Sequence, residues 1–191
     1  MTTNGSCDEE VKARLSKASQ AFGMLKSTWK SGRISLKTKL RLFESNVVST
    51  LLYGSESWKM TKTIERKLEV FQRRCLRRIL MVFWPNTISN EDLYAQTSSS
   101  PITLQIRRRR WRWIGHVLRL HTDAIARVAL RWTPQGKRSV GRPGETWRRT
   151  VEAEMKHQGW QWSSLERIAK DRVKWRSLVE ALCAPGHRDD G

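Results

Sequence analysis

Apolar residues recur along the chain at steps of three and four, and no stretch shows the strict alternation of a half-buried strand. From Asp8 to Trp29 the repeating positions are Val11, Leu15, Ala18, Phe22, Leu25 and Trp29, opened by Asp8, Glu9 and Glu10, where a helix start favours carboxylates. Gly32 breaks this segment, and Ser35 is placed to cap a second helix with the seam Leu36, Leu40, Phe43, Val47 and Leu51, stopped at Gly54. A third helix is predicted from Thr63 to Phe83 on Ile64, Leu68, Phe71, Cys75, Ile79 and Phe83, ended by Pro85. Ser89 to Asp92 reads as a capping box for a short helix, and Ser98 to Pro101 as a hinge with proline at a first helical position. Helices over 101–120, 122–131 and 145–157 follow, and Ser163 to Glu166 is a capping box expected to open one last helix to about Cys183. Arg172 falls within the apolar seam of that last helix, beside Trp175, Val179 and Leu182.

The pattern predicts an all-α protein, a helical bundle of about seven to eight helices in two small subdomains with a basic Gly/Pro loop. The expected divisions are a helical segment over 1–85, a short helix and serine-rich hinge over 86–100, a basic Trp/Arg-rich extension over 101–183, and a loose tail over 184–191. No fixed-period repeat supports a solenoid.

Charge changes the picture. The 191 residues carry 37 Lys+Arg against 18 Asp+Glu, a formal net charge of +19 at pH 7. Such an excess draws polyanions, among which nucleic acids are the commonest inside a cell. No run reaches the ~18 apolar residues of a membrane span, and the N-terminus lacks the basic and apolar regions of a secretory signal, so nuclear or cytoplasmic residence away from membranes is expected. Three widely separated cysteines, Cys7, Cys75 and Cys183, read as reduced thiols.

The densest cationic tract is Arg107, Arg108, Arg109, Arg110 and Arg112, interleaved with Trp111 and Trp113. Successive helical residues diverge by about 100°, so these arginines wrap the helix, and guanidinium forks suit phosphates. Trp111 and Trp113 are candidates for base stacking, against the plainer reading that they are core. Lys137, Arg138 and Arg142 sit on the Gly/Pro loop and suit a flexible clamp on a phosphate backbone. The third helix adds Arg66, Arg73 and Arg77 in one row and Lys67, Arg74 and Arg78 in another, which is either a nucleic-acid track or an ordinary solvated face.

Catalytic patterns are poor. His116 and His121 miss the spacing of a helical zinc pair, Cys183 and His187 lack a second cysteine pair, and no glycine-rich phosphate loop is present. Neither a metal nor a cofactor is expected, and an independent enzyme is not indicated.

Colinear stretches carry a resemblance: Lys17-Ala-Ser-Gln-Ala-Phe22 with Leu25 and Trp29; Ile34-Ser-Leu-Lys-Thr-Lys39; Leu51-Leu-Tyr-Gly-Ser-Glu-Ser-Trp58; and Cys75-Leu-Arg-Arg-Ile-Leu80. Trp84-Pro85, Ile88 to Glu91, Ile106 through His116, Pro134 to Arg138, Gly141-Arg-Pro143 with Trp147-Arg-Arg149, and Asp171-Arg172 with Trp175 continue it. Together they resemble the C-terminal part of non-LTR (LINE-type) retrotransposon endonuclease–reverse transcriptases over nearly the whole chain. The resemblance implies a thumb-side helical segment followed by a basic post-thumb extension that grips template RNA or RNA–DNA hybrid. The chain has no Tyr-x-Asp-Asp polymerase motif, and the palm and endonuclease regions are missing from it, so neither chemistry carries over to any residue. The expected partners are RNA, RNA–DNA hybrid or duplex DNA. The alternative is an interaction module that docks on a polymerase palm domain without binding nucleic acid itself, or an inert truncated relic.

Overall fold

In a computed structural model, residues 7–132 and 146–183 are described, and all regular structure among them is helical. The chain divides into two compact units, residues 1–55 with 61–106, and residues 56–60 with 107–191. The division falls inside a helix, between Ile106 and Arg107, and not at the serine-rich stretch before Pro101.

The first unit opens with α1 (Cys7–Met24), which buries Val11, Ala18 and Phe22 as its periodicity requires. The single helix expected over residues 8–29 is interrupted at Leu25 (φ −93°, ψ 17°), and α2 (Lys26–Lys30) follows. Trp29 accounts for the interruption: its indole N–H donates to the Phe22 carbonyl at 2.8 Å while its ring stacks on Phe22 at 5.0 Å. Lys39 reaches back from the next helix to donate to the Trp29 carbonyl at 2.9 Å, so the turn is held from both sides.

Ser35 caps α3 (Leu36–Leu42), accepting from the Thr38 N–H at 3.2 Å. Residues Phe43–Val48 then widen into a π-helical turn before α4 (Ser49–Leu51), and Phe43, Val47 and Val48 are all buried there. The wider turn holds an extra residue, which lets adjacent Val47 and Val48 both reach the core.

Thr61 caps α5 (Lys62–Ile79), whose inner face is Ile64, Leu68, Gln72, Cys75, Leu76 and Ile79. This helix stops at Ile79 and does not run on to Phe83 and Pro85. Met81 adopts a left-handed conformation (φ 59°), and the Val82 and Met81 amides close onto the Arg77 and Arg78 carbonyls at 2.9 and 3.3 Å. That geometry usually selects glycine, so the terminator was hidden in an unremarkable methionine. α6 (Asn90–Thr97) is capped by Ser89, which accepts from the Asp92 amide at 3.0 Å and donates to its carboxylate at 2.8 Å.

Buried Gln72 ties the unit together. Its side-chain N–H donates to the Ser100 carbonyl at 2.9 Å, and its oxygen accepts from the Ile102 amide at 2.9 Å and the Tyr94 hydroxyl at 3.3 Å. It therefore satisfies an orphan amide at the start of α7 (Ile102–Leu118), a task that more often falls to a local cap.

The second unit packs α7 from Arg107 onward with α8 (Ile125–Arg131), α9 (Trp147–His157), α10 (Trp162–Ala169) and α11 (Arg172–Leu182). Its core is Trp111, Ile114, Val117, Leu118, Val151, Met155, Leu165, Trp175, Val179 and Leu182, with Trp160, Trp147 and Trp113 packed around it. Trp175 lies directly on the α7 backbone and donates to the Trp111 carbonyl at 3.0 Å. Gly115 makes this approach possible, because a β-carbon there would fall 2.1 Å from the Trp175 indole nitrogen.

The last helix expected from the sequence is two helices. Gln161 and Ser164 form the box that opens α10, and Asp171 caps α11 by accepting from the Val173 and Lys174 amides at 2.9 and 3.1 Å. The break leaves Arg172 as the first residue of α11, where it is exposed although it falls on the same side as buried Trp175 and Val179. No helix among the described residues is long and apolar enough to cross a membrane.

Candidate nucleic-acid interface

Most of the arginine tract of α7 is engaged by acids of its own unit. Arg110 is 1% exposed, pairs with Glu154 of α9 at 2.9 Å, and donates to the Trp58 carbonyl at 3.3 Å. Arg107 approaches the same carboxylate at 3.4 Å, and the Trp111 indole N–H donates to its other oxygen. Arg108 and Arg112 share Glu180 of α11 at 3.1 and 2.7 Å. Two acids thus hold four of the five cations, and Arg109 and Arg112 are the exposed members.

This placement corrects two expectations. Arg110 is not available to a phosphate: burying a guanidinium requires a hydrogen-bonded anion, and Glu154 supplies it. Trp111 is 0% exposed and stands edge-on to Trp160 at 5.3 Å, so it cannot stack on a base. Trp113 is half-buried against Trp147, edge-on at 5.9 Å. Lys137, Arg138 and Arg142 lie outside the described residues.

The α5 rows separate clearly. Arg73 pairs with Glu69 at 3.4 Å, and Arg77 donates to the Ile88 carbonyl and to Asn90 at 3.2 and 2.9 Å. Arg74 and Arg78 share an exposed face four residues apart, and no acid among the described residues lies within ion-pair distance of either. Burial pushes the neighbouring Cys75 thiol up to about 12, and the charges of Arg74 and Arg78 oppose that shift more weakly.

Beside this pair lies an aromatic surface that sequence reasoning passed over. Because α5 stops at Ile79, Phe83 leaves the helical seam and stands out to solvent beside Trp84, which has 89% of its surface exposed. With Arg74, Arg78 and the aliphatic Val70 they border an open groove of about 470 Å³. The available signal was Trp84-Pro85 itself, an aromatic off the seam in a stretch that no helix could continue.

The second unit carries its own cationic groove, of about 630 Å³. Arg112 and His116 of α7 with Arg119 just past its end form one wall, and Arg172 and Arg176 the other on α11, with Trp175 between them. Arg119 is anchored by donating to the Ala169 carbonyl at 3.1 Å. Burial, and then the nearby Arg172 charge, hold its guanidinium below the usual arginine range. Among the described residues no group of three or more His, Cys, Asp or Glu side chains could hold a metal ion.

A family profile described as a domain of unknown function (DUF6451) matches residues 21–53, the stretch from the end of α1 through the π-turn to just past α4. An uncharacterized transposon-derived protein of Caenorhabditis elegans is 26% identical over 181 residues, covering 89% of this chain. The chain spans 63% of that relative's length. No solved structure matches the chain. The chain is thus similar, along most of its length, to a protein of transposon origin.

Proposed function

We propose that this chain is a non-catalytic nucleic-acid-binding segment related to LINE-type reverse transcriptases, gripping RNA or RNA–DNA hybrid through its backbone. The observation that carries the reading is the surface of the first unit, where exposed Trp84 and Phe83 adjoin the unpaired cations Arg74 and Arg78. An aromatic face beside guanidinium groups is what a flexible strand requires: stacking takes the base and the cations take its phosphates. The similarity to a transposon-derived protein supports the same reading.

Fluorescence anisotropy with labelled single-stranded RNA, RNA–DNA hybrid and duplex DNA across a salt series tests it. Arg74→Ser with Arg78→Ser should lower the log K against log salt slope by about 1.4 on single strands, at ~0.7 per phosphate. Trp84→Ala should cost about 1–3 kcal/mol on single strands, with the slope unchanged. Both variants binding as the parent does would remove this surface from the interface.

A docking reading has its own support in α8, where Ile125, Val128 and Trp132 leave an exposed apolar stripe. It is favoured if the chain binds no nucleic acid at low salt but captures a polymerase palm domain supplied in trans.

A further inference from the structure

The groove between α7 and α11 differs in kind from the surface around Trp84. Its cations come from two helices: Arg112, His116 and Arg119 recur at the spacing of one helical face, while Arg172 and Arg176 sit one turn apart. Seven residues of rise spread the α7 set over roughly 10 Å. Acids are scarce around it. Glu180 holds Arg112 at one end, and Asp171 is committed to the first amides of α11 and to Lys174 at 3.7 Å. Among the described residues no acid pairs with Arg119, Arg172 or Arg176 within 4.0 Å. Four guanidinium groups facing one empty groove repel each other, as the effect of Arg172 on Arg119 shows, and a multiply charged anion would relieve that repulsion.

The groove offers no indole or phenyl face to a base. Trp175 is 3% exposed, its N–H is spent on the Trp111 carbonyl, and no Phe, Tyr or other Trp lines the walls. We propose that this groove is a separate phosphate-chain site, in which Arg112, Arg119, Arg172 and Arg176, assisted by His116, hold two or three successive phosphates and read no base. The shared chemistry is a linear phosphate polyanion, drawn either from a sugar–phosphate backbone or from inorganic polyphosphate. Guanidinium forks match phosphate oxygens in bidentate geometry, and the groove is far larger than one phosphate needs.

The test uses the full chain and sodium tripolyphosphate, followed by isothermal titration calorimetry. Arg172→Ser with Arg176→Ser alters two exposed side chains and should weaken binding at least about tenfold, while Arg74→Ser with Arg78→Ser on α5 leaves it unchanged. Tripolyphosphate that fails to bind, or binds the α11 variant as tightly as the parent, overturns the proposal. So does equal loss in both variants, which would mean diffuse attraction to net charge. A second arm distinguishes the sources: an abasic deoxyribose–phosphate oligomer that loses as much affinity as tripolyphosphate in the α11 variant assigns the groove to a nucleic-acid backbone. An oligomer indifferent to that variant assigns it to inorganic polyphosphate. Failure of the Trp84 surface is read separately, because Trp84→Ala on single-stranded RNA leaves tripolyphosphate binding intact.

Discussion

Removing the carboxylate of Glu154 should unravel the second unit out of proportion to the size of the change. In Glu154→Ala the buried Arg110 loses the anion at 2.9 Å, Arg107 loses the same oxygen at 3.4 Å, and the Trp111 indole N–H loses its acceptor. Breaking a buried pair by deleting one partner costs about 3–5 kcal/mol, because the surviving charge stays desolvated. An orphaned indole N–H contributes about 1–3 kcal/mol where no water reaches it. Some relaxation of Arg107 toward solvent offsets part of this, so about 4 kcal/mol is expected. That figure is a large fraction of the stability of any domain of this size. Glu180→Ala is the matched control: its carboxylate also serves two arginines, but Glu180 and Arg112 are solvent-accessible, and the loss should stay below about 1 kcal/mol. Guanidinium chloride unfolding followed by near-ultraviolet circular dichroism reads the difference, since Trp111, Trp160 and Trp175 report on this core. Glu154→Leu combined with Arg110→Met should recover most of the loss, an apolar pair replacing the ionic one. A Glu154→Ala cost equal to that of the Glu180 control would refute the reasoning and return Arg110 to the list of cations free to meet a ligand.

Two further outcomes follow from packing and from thiol chemistry. Gly115→Ala places a methyl group inside the Trp175 ring and should destabilise the second unit by about 1–3 kcal/mol, with a shifted tryptophan emission in the folded state; unchanged thermal unfolding would contradict the close approach. Burial raises the Cys75 thiol to about 12 and the Cys183 thiol to about 11 from the ordinary 9.0, so both stay protonated well above neutral pH. Iodoacetamide at pH 8.5 should therefore modify half-exposed Cys7 first, with Cys75 and Cys183 slower by about a hundredfold or more; equal rates by mass spectrometry would show that these thiols are accessible.

Helices were legible where a seam of large apolar residues met a cap. Ser35, Ser89, Gly54 and the stripe from Ile64 to Ile79 are placed as their spacing requires. What escaped was set by tertiary contact or by backbone conformations that side-chain type does not announce. Trp29 breaks the first long helix by taking a carbonyl, Met81 ends α5 in a glycine-like conformation, and Asp171 divides the last helix because its side chain caps α11 better than it continues α10. The basic character was plain from charge, but its location was not. A run such as Arg107 to Arg110 must turn some members inward, and the acid that receives buried Arg110 is 44 residues away. Conversely, Arg172 in the apolar seam implied either a buried carboxylate partner or a helix left partly uncovered, and its exposure at the first position of α11 is the second of these.

The order of the units along the chain has a consequence for inheritance. The second unit takes residues 56–60 from within the first and resumes only at residue 107, so a single scission after Ile106 leaves every residue of the first unit on one piece but strips residues 56–60 from the second. A copy severed at the serines before Pro101 would forfeit Ile102 and Ile106 and leave the Gln72 amide without its backbone acceptor and donor. A descendant shortened from its C-terminal side can thus keep the first unit entire, whereas one shortened from its N-terminal side past residue 60 loses part of both.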